Sequence, residues 1–273
     1  MPLLRPPPDL SLRELITDQS RVLSRAQALA AGMSADQIRR ALGSSWQRTA
    51  YAGVYVTTTG PVDYVTRCWS ALLHAGPGSA PGMETAAWFW TLEDDPPDDV
   101  HVVVPGSRRP ARRAGTTFHI RIRLADRVHP AKVPTMVTLE DTVLDMVDRR
   151  STAESAVVGL VLKACQRRLT TPARLDDALA RRAKIRHRDL VSDLLVEAGD
   201  GIQSPLERRY FRDVERPHGL PRGQRNHAEV VAGARRYRDV RYPEYRTCVE
   251  LDGAASHPPT DVSWTTCATT SCW

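Results

Sequence analysis

Three carboxylates toward the C-terminal end have the types and spacing for metal-assisted chemistry on a phosphodiester. Arg235-Arg-Tyr-Arg-Asp239-Val-Arg-Tyr242 alternates as a strand, Pro243-Glu-Tyr245 turns the chain, and Arg246-Thr-Cys-Val-Glu250-Leu-Asp252 alternates again. Side chains of a strand point to opposite faces in turn. Thr247, Val249 and Leu251 are therefore expected to face a core, and Cys248, Glu250 and Asp252 the other side, where Asp239 joins them from the neighbouring strand. Carboxylates held together repel one another unless a cation neutralises them. Mg²⁺ suits a few carboxylates and several retained waters. It would activate a water and steady the charge of a displaced phosphodiester, with Arg235, Arg236, Arg238 and Arg241 nearby to hold the nucleic-acid strand. Two plainer roles stand beside this one: Asp252-Gly253 as a turn, and Glu250 as the ion-pair partner of an arginine.

Other chemistry-bearing residues are dispersed. His257, Cys267 and Cys272 form a conceivable zinc set, but they lack paired-knuckle spacing and are not adopted as a site. Cys68, Cys165 and Cys248 stand alone in apolar patterns and read as buried thiols of a reduced compartment. His74, His101, His119, His129 and His187 are scattered and read as isolated residues.

The elements that must position such groups begin with three capping boxes. Ser11-Leu-Arg-Glu14, Ser24-Arg-Ala-Gln27 and Ser34-Ala-Asp-Gln37 each place a hydroxyl at the N-cap and a Glu or Gln three residues on. Gly32 and Gly43 end the second and third helices, so a tight Gly32-Met33 link joins them in the manner of a helix-turn-helix. Ile38, Ala41 and Leu42 share the inward face of the third helix, while Asp36, Gln37, Arg39 and Arg40 point away. Arg and Gln so placed read guanine and adenine in the major groove. Trp46-Gln-Arg-Thr-Ala-Tyr-Ala-Gly53-Val-Tyr-Val56 gives two short β-rich runs around a glycine, a wing from which Arg48 reaches phosphate or the minor groove. A plain three-helix subdomain with a solvated arginine face is the alternative.

Leu23-Ser-Arg-Ala-Gln-Ala-Leu-Ala-Ala-Gly32, Ile38-Arg-Arg-Ala-Leu42, Trp46-Gln-Arg48 and Gly53-Val-Tyr55 resemble the N-terminal domain of AbiEi-type antitoxins. These are winged-helix repressors of type IV toxin–antitoxin operons. The resemblance covers about the first quarter of the chain and implies operator binding, for which the exposed residues of the helix and wing are Gln37, Arg39, Arg40 and Arg48. It also implies a nucleotidyltransferase-type toxin as a possible partner. In the middle, Tyr64–Ala75, Leu139–Arg149, Ala153–Arg168 and Pro172–Ala183 read as helices, and Asp99–Pro105 and Thr116–Arg123 as strands. No catalytic constellation is visible there, and the region is expected to connect or to contact a partner.

At the C-terminal end, Ser204-Pro-Leu-Glu207, Tyr237-Arg-Asp239-Val and Val249-Glu-Leu-Asp-Gly253 followed by His257 resemble, in order, the very-short-patch-repair (Vsr-like) endonucleases of the PD-(D/E)XK type. The resemblance implies metal ligation by Glu207, Asp239, Glu250 and Asp252, with His257 assisting proton transfer. Asp252 occupies the place of the usual lysine, which leaves the general base undefined. Alternatively Glu207 only completes the cap that Ser204-Pro205 begins. After Pro258 the sequence loses basic residues and helical period. Read two bases later, its last ten residues permit an amphipathic charged helix such as Asp-Asp-Met-Arg-His-Asp-Lys-Leu-Leu. The Vsr-like relatives carry a similar Asp-x-Met-Arg helix after the histidine. A frameshifted or truncated nuclease-like domain is the expectation, and a divergent natural tail the alternative.

Composition fits this division. The 273 residues carry 41% hydrophobic and 26% charged side chains, as in ordinary globular proteins, and accommodate two or three domains. Net charge is +6. Residues 1–60 have 7 Arg against 4 acids, residues 203–257 have 11 against 8, and the middle is nearly balanced at 20 against 19. The excess at both ends would attract a phosphate backbone. Guanidinium suits phosphate recognition, but that 35 of 38 basic residues are Arg is attributed to GC-rich coding, as the abundance of Ala and Pro supports. With no apolar run of bilayer length and no signal-peptide core, the chain is expected to be cytoplasmic, with no membrane partner.

The expected architecture is α+β. It comprises a winged helix-turn-helix over 1–60, a mixed α/β region over 61–202, and an incomplete restriction-endonuclease-like α/β domain over 203–273. The expected function is a double-stranded-DNA-binding, antitoxin-type transcriptional regulator fused to a degraded nuclease-like domain with a possible Mg²⁺ site. The rivals are a metal-dependent DNA endonuclease targeted by its winged helix, and an antitoxin that acts by binding protein alone.

Overall fold

The computed structural model describes residues 11–199, 202, 205–231, 234–251 and 266–267. The chain is α+β and divides into two units, residues 1–149 and 150–273. Among the described residues no helix is long and apolar enough to cross a membrane.

The first unit opens with α1 (Leu12–Asp18), β1 (Val22–Ser24), α2 (Arg25–Ala30) and α3 (Ala35–Leu42). All three expected capping boxes form. The amides of Ser11, Ser24 and Ser34 donate to Glu14, Gln27 and Gln37 at 2.8, 2.9 and 2.6 Å, and each serine hydroxyl accepts the N3 amide in return. Gly32, at φ +88°, takes the left-handed conformation that lets α2 end and α3 begin three residues later. Leu15, Leu23, Ala28, Ile38 and Tyr55 form the local core, with Met33, Leu42 and Trp46 against it. Beneath it Gln27 donates to Gln19 at 2.7 Å and Gln19 donates to the Val22 carbonyl at 3.1 Å, so two buried amides satisfy each other and the strand.

β2 (Gln47–Arg48) and β3 (Val54–Val56) form a hairpin, and β1, not anticipated as a strand, completes an antiparallel sheet in the order β1-β3-β2. A second core joins this sheet to α4 (Tyr64–Ala75) and β5 (Val100–Pro105). In it Val22, Tyr51 and Val54 pack with Cys68, Trp69, Ala71, Leu72 and Ala75 of α4 and with Val100, Val102 and Val104 of β5. β5 is the middle strand of a second sheet, antiparallel to β4 (Ala80–Pro81) and parallel to β6 (Thr116–Arg121). Its near-continuous valines suit burial on both faces. α5 (Met83–Phe89) and α6 (Leu139–Val147) complete the unit. Arg121 and Arg127 reach the buried carboxylate of Asp145 at 3.5 and 3.4 Å, fixing the end of β6 and the turn after it against α6.

In the second unit α7 (Glu154–Gln166), α8 (Pro172–Ala180) and α9 (Arg188–Gly199) pack through Val157, Val161, Leu162, Leu175, Leu179, Val191 and Leu194. α10 (Pro205–Tyr210) continues into one π-helical turn, Phe211–Glu215. β7 (Gln224–Val231), β8 (Ala234–Tyr242), β9 (Thr247–Val249) and β10 (Thr266–Cys267) form an antiparallel sheet in the order β10-β9-β8-β7. Val249 and Leu251 pack toward Tyr210, Val240 and Tyr242 as their alternation predicts. Cys248 is 4% exposed, the buried thiol its apolar setting suggests, so the face of β9 opposite Val249 and Leu251 is also shielded from water at this position.

Because one core joins the N-terminal sheet to α4 and β5, the two cannot loosen separately. Leu72 is 1% exposed within it. Leu72→Ala is expected to cost about 2–5 kcal/mol and to accelerate amide exchange in β1 and β3 together with β5. Acceleration confined to α4 would contradict the shared core.

Candidate functional site

α3 presents its charged side to solvent because Ile38 and Leu42 hold the other side inward. Arg39 and Arg40 are both exposed. Arg39 meets Asp36 at 2.6 Å in a solvent-exposed pair, the kind that contributes little and exchanges readily for another anion. The Nε of Arg40 lies 3.4 Å from the Asp36 carbonyl. The Gln37 side-chain oxygen accepts the Ser34 amide at 2.6 Å, so the cap sets the orientation of that side chain while the bond holds.

Arg48 is exposed on β2, opposite Tyr55 of β3. The hairpin carrying it is clamped at both ends. Gln47 donates to the carbonyls of Thr58 and Gly60 at 2.7 and 2.8 Å. Tyr51, in the turn, is buried with its ring 4.8 Å from that of His74 and its hydroxyl bonded to Thr116. Burial pushes the Tyr51 phenol above its ordinary range. It therefore remains a neutral hydrogen-bonding group at physiological pH.

Of the C-terminal carboxylates, Glu207, Asp239 and Glu250 are described, whereas Asp252 and His257 lie outside the described residues, as do Ser204 and Cys272. Glu207 is buried on α10. β8 and β9 pair Val240 with Val249, and one further step of that register sets Asp239 opposite Glu250. One oxygen of Asp239 accepts the Leu251 amide at 2.7 Å, closing the β8–β9 ladder beyond its last backbone pair. Among the described residues no group of three or more His, Cys, Asp and Glu side chains is arranged to hold a metal ion.

The same unit holds a polar cluster that the sequence did not single out. Arg225 and Glu215 pair at 2.8 Å with both side chains 4% exposed. Tyr242 donates to Glu215 at 2.9 Å, and the Arg225 guanidinium lies over the Phe211 ring. A Cβ on Gly223 would fall 2.3 Å from a Val240 methyl, so this close approach requires glycine. Each charge here has its partners, and the cluster ties the π-helical turn to β7 and β8.

His101 and His119, expected as isolated residues, instead belong to one cluster whose members are far apart in sequence. The parallel β5–β6 register sets Val103 beside His119, which brings His119 to His101. His101 Nδ1 lies 3.0 Å from His119 Nε2, and the rings stack 5.3 Å apart. On its other side His101 Nε2 is 3.5 Å from Glu84, whose carboxylate takes Arg149 at 2.6 and 2.8 Å. Burial tends to raise the Glu84 carboxyl, but its own backbone amide, His101 and Arg149 outweigh that and hold it below the ordinary range. Burial pushes both imidazoles down, His119 to about 4 with the His101 charge adding to the shift. Both are neutral at pH 7, one ring donating the single proton between them. The open pocket beside Glu84 is lined by Glu93, Asp94, Asp95 and Pro97. That side of the unit repels a phosphate backbone.

Because the folded pKa of His119 lies below its ordinary 6.5, the unfolded chain binds the extra proton first. The stability associated with the neutral ring is therefore complete above about pH 6.5 and is lost as pH falls toward 4. The loss is on the order of 3 kcal/mol. His119→Gln is expected to retain a larger share of its neutral-pH melting temperature at pH 4.5 than the unsubstituted chain. Equal acid losses in the two proteins would contradict the assignment.

No family model matches the chain, and no curated protein matches it. Among solved structures it is similar to the RV2827C protein from Mycobacterium tuberculosis, with 16% identity over 67% of this chain and 75% of that one and a TM-score of 0.44. A likeness of that degree assigns neither fold nor function to this chain.

Proposed function

We propose that this chain is a duplex-DNA-binding transcriptional regulator of the antitoxin type, in which residues 11–60 act as a winged helix-turn-helix. The observation that carries the proposal is the exposed Arg39 and Arg40 on α3, followed directly by a clamped hairpin that exposes Arg48. α3 enters the major groove, Arg39 exchanges Asp36 for a base edge or phosphate, and Arg48 holds the backbone beside it. The AbiEi resemblance of Leu23–Tyr55 adds operator binding, autoregulation and a nucleotidyltransferase-type toxin as partner. Residues 61–202 would connect or contact that partner, and residues 203–273 would be a nuclease-like scaffold that no longer cuts DNA.

Arg39→Ala and Arg40→Ala in the full chain are expected each to weaken binding to a selected duplex by ~1–3 kcal/mol and to relax sequence preference. Unchanged affinity and preference in both variants, measured by fluorescence anisotropy, would overturn the assignment of α3.

The facing positions of Asp239 and Glu250 favour a second reading, a Mg²⁺-dependent endonuclease. Against it, Asp239 already spends an oxygen on the Leu251 amide, which suits a structural role. On the structural account Asp239→Ala loses a charge-assisted hydrogen bond worth about 1.5–3 kcal/mol. It lowers the melting temperature, and plasmid incubated with the unsubstituted chain and Mg²⁺ or Mn²⁺ stays intact. Metal-dependent cleavage that disappears in Asp239→Ala and in Glu250→Ala would establish the enzyme instead.

A further inference from the structure

Regional charge totals conceal the most one-sided stretch of the chain. Residues 106–123 contain six arginines and no acid. Arg121 and Arg123 are accounted for by Asp145 and Asp126. Arg108, Arg109, Arg112 and Arg113, all on the segment between β5 and β6, form no ion pair with a carboxylate among the described residues. Arg109, Arg112 and Arg113 are exposed, and the bonds of Arg109 and Arg113 go only to carbonyls of the segment itself, at Gly106, Arg108 and Arg112.

Topology explains why this segment is laid out rather than bunched. β5 and β6 run parallel and adjacent, so the ten residues 106–115 must travel back along the sheet before β6 begins. The return spans about 17 Å for a six-residue strand, and ten residues reach at most about 33–36 Å, so the segment must run along the sheet but needs contacts to define its path. Several contacts fix its course. Arg108 donates to the Ala75 carbonyl at 3.4 Å, in space that a Cβ on Gly76 would occupy. His74 Nε2 lies 3.2 Å from the Ala111 carbonyl, and Arg113 forms a bridge with Thr116.

The same contacts bring the segment to the hairpin. His74, which holds Ala111, stacks on Tyr51, and Tyr51 is bonded to Thr116. Arg113 is close enough for its charge to favour the ionised form of the Tyr51 phenol. Unpaired guanidiniums are thus held on a constrained segment beside the turn of the hairpin that exposes Arg48.

We propose that the 106–115 segment is a second phosphate-gripping element, in which Arg109, Arg112 and Arg113 follow the backbone of the same duplex beside the hairpin. It rests on the duplex-DNA reading of α3 and the hairpin, and it extends the contact surface beyond residue 60. Guanidiniums without acid partners have no internal pair to break before they meet phosphate. Since they touch no base, they supply affinity and salt dependence without sequence preference.

The test uses the full chain, a triple variant Arg109→Ala/Arg112→Ala/Arg113→Ala, and the corresponding triple lysine variant, with anisotropy on a selected duplex and on a scrambled one. Losing three phosphate contacts lowers the slope of log affinity against log salt by about 2.7. Between 50 and 200 mM salt the unsubstituted chain should therefore lose roughly 40-fold more affinity than the alanine triple. The preference for the selected duplex should be unchanged, and the lysine triple should keep most of the slope. An alanine triple with the unsubstituted slope, while Arg39→Ala still weakens binding, would overturn the phosphate-gripping segment alone. No binding of either duplex by the unsubstituted chain would overturn the DNA reading together with it. Intact DNA binding by the alanine triple with lost binding to poly-glutamate would assign the segment to an acidic protein instead. Circular dichroism melts of the three proteins should coincide, because the replaced side chains bond only within their own segment.

Discussion

Tyr51 is the contact on which the geometry of the first unit turns. It sits in a hairpin turn, where an aromatic side chain is ordinarily exposed, yet it is 7% exposed. Its ring lies on His74, its hydroxyl meets Thr116, and Val22 and Val54 flank it in the core of α4 and β5. A hairpin attached only through its strands would swing. This one is pinned at its tip to α4 and at the start of β6, so Arg48 and the 106–115 segment are held in one frame. The energetic basis is ordinary: a large buried aromatic surface with its one polar atom satisfied.

The polar groups that the two units bury obey the same accounting. Gln19 and Gln27 satisfy each other, Glu215 and Arg225 pair with a tyrosine completing the set, and His101 and His119 share a proton between neutral rings. Such groups are costly when left single and specify geometry when fully matched. Asp239 belongs with them. Its bond to the Leu251 amide replaces the backbone partner that the end of the β8–β9 ladder lacks. A carboxylate identified in the sequence by its chemistry has an observed contact that is structural.

Local grammar was legible in the sequence wherever one short segment carries the whole signal. The three serine caps, α4 from Tyr64 to Ala75, and the Thr171 cap of α8 before Pro172 follow from residues within one helical turn. α5 was not legible: its N-cap is Gly82, with no side-chain bond, and its apolar residues run nearly all round a two-turn helix. β1 was hidden because its three residues also lead into the cap of α2, and only pairing with β3 makes them a strand. The His101–His119 pair depends on a parallel register between residues 18 apart, which no local spacing encodes. The arginine segment was masked by averaging charge over 61–202, where acids on α6 and elsewhere balance a stretch that has none of its own. Of the candidate nuclease residues, Asp239 and Glu250 fall opposite each other one step beyond the Val240–Val249 pair, a register that alternation within each strand leaves open. Cys248 is buried as its apolar setting suggests, but what covers that face is decided by elements distant in sequence.

The central claim is that α3, the hairpin and the 106–115 segment meet one duplex as a single surface. The most direct measurement is residue-resolved NMR of the full chain titrated with a selected duplex. The account predicts amide shifts in Ala35–Leu42, around Arg48–Gly53 and across Gly106–Arg113, all with one common affinity. It also predicts that the residues around Glu84 and Asp94 stay unmoved. Shifts confined to residues beyond 150, or two affinities separating α3 from the 106–115 segment, would contradict it.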